Sequence, residues 1–158
     1  MSAGLKIAVF VFLCSVAGMI AWTDYRKMII PDWINLLTAS SGIFVSVVLL
    51  RAPLLQVALG SLVVLFLGWL IARVYKGLRG HHALGMGDIK FLGAAAAWTG
   101  LVGMPWLLMI ASFGGLTHIF VKGLLGHTTD RMTRIPFGPY LASGLILVWS
   151  LDLGGRLW

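Results

Sequence analysis

The chain has 158 residues, 59% of them apolar and 11% charged, with a net charge of +7 from twelve Lys and Arg against five Asp and no Glu. Soluble domains carry about 25% charged residues. A mean hydropathy of +0.97 and several apolar runs of about 20 residues, the length that crosses a bilayer core, exclude that class and point to an integral membrane protein. The length holds one domain, 1–158, and no second sizeable one. Excess Lys and Arg in such a chain reflects topology and anionic lipid rather than nucleic acid, for which no soluble basic module is long enough.

The first predicted span is 4–23. Lys6 ahead of an apolar run imitates a signal peptide, but the run is long and further spans follow, so retention as a membrane helix is expected. Cys14, the single cysteine, excludes an internal disulfide or a CxxC site and reads as a small core or lipid-facing residue. Asp24 follows this span directly, and Pro31-Asp32 opens the second, 33–50. An acid in a first turn complements the helix dipole, which gives Asp32 a structural reading beside a supporting role at a site. The third span is 54–72. In the polar stretch after it, His81 and His82 are neighbours that diverge on a helix, with no Cys or Glu near enough to suggest zinc.

Asp88 opens the fourth span, 88–102, whose run of small residues from Gly93 to Ala97 suits close helix packing in lipid. Gly103-Met104-Pro105 signals a turn, because a single helix over 88–121 is too long for a bilayer. The fifth span is 104–121 and contains His118, read as a hydrogen-bonded interior histidine with a proton relay as the sharper alternative. After the loop holding Asp130, the sixth span is 137–152, with Asp152 at its far end. The fold expected is all-α, a polytopic bundle of about six transmembrane helices in the lipid bilayer. Six spans put Arg26, Lys27, Arg73, Lys76, Arg79, Lys90, Lys122, Arg131 and Arg134 on one side, and Lys6, Arg51 and Arg156 on the other. That bias makes the first side cytoplasmic.

Asp24 and Asp88 then sit at cytoplasmic helix ends at similar depth. An acid near the bilayer core costs a few kcal/mol, so it faces protein or water. Two adjacent carboxylates share a proton and titrate as a unit. One can take a proton from water while the other donates to a peptide carbonyl, which is aspartic protease chemistry and needs neither metal nor cofactor. Gly85 and Gly87 ahead of Asp88 permit close approach by another backbone. Equally, they end a loop and Asp88 caps a helix; the residues alone leave both readings open. Lys90 either snorkels to the surface or tunes the acids.

Three stretches resemble the type 4 prepilin peptidases, a family of membrane aspartic proteases. They are Asp24 with Ile30-Pro31-Asp32, the Gly-x-Gly-Asp pattern at Gly85-Met86-Gly87-Asp88 followed by Ile89-Lys90, and "RIPFGPYLASG" at 134–144. The resemblance implies that Asp24 and Asp88 are the catalytic pair, with Gly85, Gly87, Lys90, Pro31 and Asp32 supporting. It implies prepilin or pseudopilin substrates carrying a short basic leader ahead of an apolar helix, and a pilus or type II secretion assembly machinery as partner. It also implies a bacterial cytoplasmic membrane location. The larger members of the family also methylate the new N-terminus and carry an extra region with paired cysteines; the short first segment and lone Cys14 here lead to an expectation of peptidase activity without methyl transfer. The rivals are a small proton-coupled transporter using Asp24, Asp88 and His118, and a non-catalytic assembly subunit.

Overall fold

The structure, a computed structural model, describes residues 2–80, 85–125 and 136–152. His81, His82, Asp130, Arg131, Arg134 and Arg156 lie outside the described residues. Every regular element among the described residues is helical: α1 (Ala3–Lys27), α2 (Asp32–Phe44) prolonged by a π-turn at Val45–Leu49, α3 (Leu54–Arg79), α4 (Met86–Leu124) and α5 (Gly138–Asp152). The first four are long and apolar enough to cross a membrane, and α5 is a shorter apolar helix. The all-α membrane bundle read from composition is the architecture found.

α4 has 39 residues, about 58 Å as one rod at 1.5 Å per residue and nearly twice a bilayer core. It is not one rod. Gly100 has φ 64° and ψ 176°, a backbone conformation open to glycine at little steric cost, and the chain doubles back there. In the arm 86–99, Ile89 faces Gly68 and Gly93 faces Leu65, so this arm runs antiparallel to α3. Beyond the break Gly103 faces Val148, Leu107 faces Gly144, and Gly115 faces Phe137, so the arm 101–124 runs antiparallel to α5 and returns to the starting end. The hairpin exists, but its break precedes the expected Gly103-Met104-Pro105. Gly103 serves packing instead, since a Cβ there would lie 2.7 Å from Thr99 Cβ. Pro105 lies inside the second arm, five residues beyond the break.

The arm 86–99 is the centre of the bundle, with Phe91, Ala95 and Trp98 fully buried. Trp98 stacks on Phe12 at 6.3 Å between centroids and meets Trp149 edge-on at 6.0 Å, and its indole N–H donates to the Thr38 carbonyl at 2.8 Å. The Ser46 hydroxyl in the π-turn donates to the Ala97 carbonyl at 2.6 Å. These bonds satisfy polar atoms that water cannot reach. The small residues do what their size suggested: a side chain at Gly93 would strike Leu65, and one at Gly42 would lie 2.6 Å from the Trp98 ring.

α3 is the outermost helix. Only Gly60 and Ala72 along it are buried, while Leu62, Phe66 and Ile71 are exposed. An apolar surface of this extent does not occur on a soluble monomer; against hydrocarbon it is the surface that belongs there. Cys14 is exposed on α1, in keeping with a lipid-facing position.

Candidate active site

The core-facing stripe of α1 is Val9, Leu13, Val16, Ile20 and Asp24, a helical spacing of three and four that continues an apolar face into a carboxylate. Asp24 is 5% exposed, and among the described residues it is the one charged side chain in the buried set. α1 ends one turn later because Met28 adopts φ 54° and its N–H returns to the Asp24 carbonyl at 2.8 Å. The connector then folds Ile30 into the core, 5% exposed.

The Asp24 carboxylate is held from α5. The backbone N–H of Gly138, the first residue of that helix, donates to Asp24 Oδ2 at 2.7 Å. The start of a helix carries free N–H groups and the positive end of the macrodipole, so it stabilises an anion. Only glycine fits here: a Cβ on residue 138 would lie 2.8 Å from Asp24 Oδ2 and 3.1 Å from Ile20 Cγ2.

Asp88 has a similar support from a different helix. It occupies the first turn of α4, and its carboxylate accepts from the backbone N–H of Gly85, the N-cap residue, the backward half of a capping box. A Cβ on Gly85 would sit 3.0 Å from Asp88 Oδ2. Asp88 is half-buried and lies within Coulombic range of Asp24. Each acid thus sits on a glycine N–H at a helix start, and the positive ends of α4 and α5 converge on the pair.

The supporting residues have separate tasks. A Cβ on Gly87 would lie 3.3 Å from both the N and the O of Ile30, so the close approach this glycine permits is with the chain's own connector. Pro31 is the N-cap residue of α2, and its carbonyl accepts from the N–H groups of Ile34 and Asn35. Asp32 in the first turn of α2 pairs with Lys90 Nζ at 2.7 Å, with both side chains exposed. Lys90 therefore ties α2 to α4, a contact worth under about 1 kcal/mol. The Asn35 amide donates to the Gly87 carbonyl at 3.4 Å, bracing the turn that presents Asp88.

Gly138 and Asn35 were not singled out from the sequence. The glycine lay in plain view inside Pro-Phe-Gly-Pro, but its partner is 114 positions away, and no local pattern announces that pairing. Asn35 carried no signal beyond a polar residue in an apolar helix. His118 differs from the hydrogen-bonded interior residue expected: its Nε2 is buried with no hydrogen-bond partner among the described residues, and its ring meets Tyr140 edge-on at 5.9 Å. Asp152 is the last residue of α5. Among the described residues no three His, Cys, Asp or Glu side chains gather as a metal site requires. A buried acid within Coulombic range of a half-buried one, each hydrogen-bonded from backbone, supplies the groups that acid–base chemistry at a polarised carbonyl requires.

Residues 11–120 match the model of the type IV leader peptidase family. A prepilin leader peptidase/N-methyltransferase of Xanthomonas campestris pv. campestris is 34% identical over 148 residues, covering 90% of this chain and 48% of that protein. A protein of the same description from Dickeya chrysanthemi is 34% identical over 137 residues, 86% of this chain and 48% of its own length. One from Escherichia coli is 30% identical over 151 residues, 96% of this chain and 64% of its own. The chain thus spans about half the length of the first two relatives and under two thirds of the third. No solved structure matches it.

Proposed function

Because this chain belongs to the type IV leader peptidase family, we propose that it is an aspartic endopeptidase that removes short leaders from prepilins or pseudopilins, with Asp24 and Asp88 as the catalytic pair. The observation that carries this reading is the convergence of two acids from α1 and α4, each on a glycine N–H at a helix start. With one proton on the pair, the ionised carboxylate takes a proton from a water molecule as that water attacks the scissile carbonyl carbon. The protonated carboxyl donates to the carbonyl oxygen, giving a neutral tetrahedral diol. The diol collapses as its hydroxyl proton returns to the pair and a proton passes to the leaving amine, which departs as the C–N bond breaks. The pair regains its single proton. The glycine N–H groups fix both carboxylates and stabilise the charge that remains on them.

The proposed setting is the inner membrane of a bacterium, with the pair facing the cytoplasm. Arg26, Lys27, Arg73, Lys76, Arg79, Lys90 and Lys122 lie at the end of the bundle that holds the acids, and Lys6 and Arg51 at the opposite end; positive charge favours the cytoplasmic side. The product pilins would then enter a pilus or type II secretion machinery. The proposal is for hydrolysis; transfer of a methyl group to the new N-terminus, which the relatives' description also names, neither supports nor opposes it.

The test is to incubate the detergent-purified protein with a prepilin and follow the shortened product. Asp24→Asn and Asp88→Asn each lower the rate by about a thousandfold or more, within the range acid–base groups supply, with thermal unfolding retained. If both variants still cut at near the native rate, the mechanism is wrong.

A further inference from the structure

A groove of about 610 Å³ opens between α2, α3 and the arm 86–99. Leu36, Ala39 and Ile43 form a stripe along its α2 wall, Leu65 faces them from α3, and Gly93 and Ala94 form the side toward α4. From Asp32 to Ile43 the groove runs about 16 Å along α2 at 1.5 Å per residue. Its upper end is the Asp32–Lys90 pair, two residues beyond Asp88.

Two lining residues break the apolar pattern. Asn35 Oδ1 and Ser61 Oγ are both buried and have no hydrogen-bond partner among the described residues. The orientation of the Asn35 amide is set by its Nδ2 donating to the Gly87 carbonyl, which leaves Oδ1 as an acceptor with nothing to accept from. Unsatisfied buried polar atoms are rare and call for a cause. In a membrane-embedded groove water is not the ready partner it would be elsewhere.

We propose that this groove seats the apolar stretch of the substrate that follows the scissile bond, and that Asn35 is a positioning residue whose Oδ1 accepts a hydrogen bond from the substrate backbone. The inference rests on the peptidase reading above. A lipid acyl chain would fill the volume but brings no donor to Asn35 or Ser61, whereas every peptide segment brings N–H groups. The basic leader is a poor fit to walls of Leu, Ala and Ile with Lys90 at the entrance, so the apolar side of the cleavage site takes the groove. Asn35 touches the Gly87 carbonyl directly, so a backbone held on Oδ1 is registered against the residue beside Asp88. Ser61, farther along the groove, offers a second contact to the same segment.

The experiment uses the full chain in lipid nanodiscs and a synthetic peptide with a short basic leader ahead of about 20 apolar residues. A benzophenone side chain is placed at Ala39 in the groove or at Leu62, which is exposed on α3, in the Asp88→Asn background so that the peptide stays uncut. The Ala39 probe cross-links to the apolar half of the peptide and the Leu62 probe does not. Equal yields from both positions, or capture of lipid alone at Ala39 with peptide present, overturn the proposal. In the otherwise native enzyme Asn35→Ala raises KM about five- to tenfold, the scale of one lost hydrogen bond, and any accompanying fall in kcat reports the lost contact with the Gly87 carbonyl. A fall in kcat with KM unchanged would make Asn35 a brace for Asp88 only and also overturn it. Failure of the native enzyme to cut the peptide defeats the peptidase reading by itself, while the cross-links still decide the groove.

Discussion

Replacing Gly138 by alanine separates two physical expectations of opposite sign. By helix propensity alone the change is favourable by about 1 kcal/mol. The position refuses it, because the new Cβ would stand 2.8 Å from Asp24 Oδ2, whereas ordinary van der Waals contact begins at 3.4 Å. The difference, 3.4 − 2.8 = 0.6 Å, is the least the carboxylate or the start of α5 must move. Ile20 Cγ2 at 3.1 Å closes one direction of retreat. Such overpacking costs about 1–3 kcal/mol, and stretching the 2.7 Å bond from Gly138 gives up part of the roughly 1.5–3 kcal/mol of a hydrogen bond to a charged group. Catalysis is more sensitive than folding, since misplacement by about 1 Å can cost a hundredfold. Gly138→Ala is therefore expected to lower kcat/KM for leader removal by about ten- to a hundredfold and to lower the melting temperature in detergent. Gly18→Ala, on the same helix as Asp24 but with nothing within 4 Å of the added Cβ, is the control and retains native activity. If Gly138→Ala cleaves within about threefold of the native rate and melts no earlier, Asp24 is not held by this glycine and the geometry given for the pair fails.

The proposed mechanism needs one proton on the pair, so the rate of cleavage against pH is expected to be bell-shaped; a profile flat from pH 3 to 10 would exclude a titrating pair. Lys90→Gln removes the exposed ion pair with Asp32 and should change unfolding free energy by less than about 1 kcal/mol, measured by denaturant titration in mixed micelles. A larger loss would mean that Lys90 supports more than α2. Trp98→Phe deletes the donor to the Thr38 carbonyl and opens space at Trp149; hydrogen bonds between membrane helices average about 0.6 kcal/mol, so the loss should exceed that once packing is included. Gly93→Ala drives a Cβ into Leu65 and should destabilise by about 1–3 kcal/mol, whereas Gly4→Ala, with open space around it, should not.

The membrane class, the all-α fold and the placing of Asp24 and Asp88 near helix ends followed from the sequence, because each is a local or additive property. Hydropathy is summed residue by residue, and positive charges mark helix ends, as Arg26 and Lys27 do in α1 and Lys76 and Arg79 in α3. Gly-x-Gly-Asp likewise foretold a helix start, and Gly85 does cap α4 with its N–H on Asp88. The hairpin was legible as a length conflict but not as a position: Gly100 and Gly103 are equally glycine in the sequence, and only packing against Thr99 and Val148 assigns one to the break and the other to the close contact. The tertiary structure alone decided what holds the acids. The Gly138 N–H that supports Asp24, the Ile30 backbone that fills the space beside Gly87, and the amide of Asn35 all come from elsewhere in the chain. Such contacts arise where helices from different parts of the chain meet, and no window of neighbouring residues encodes them.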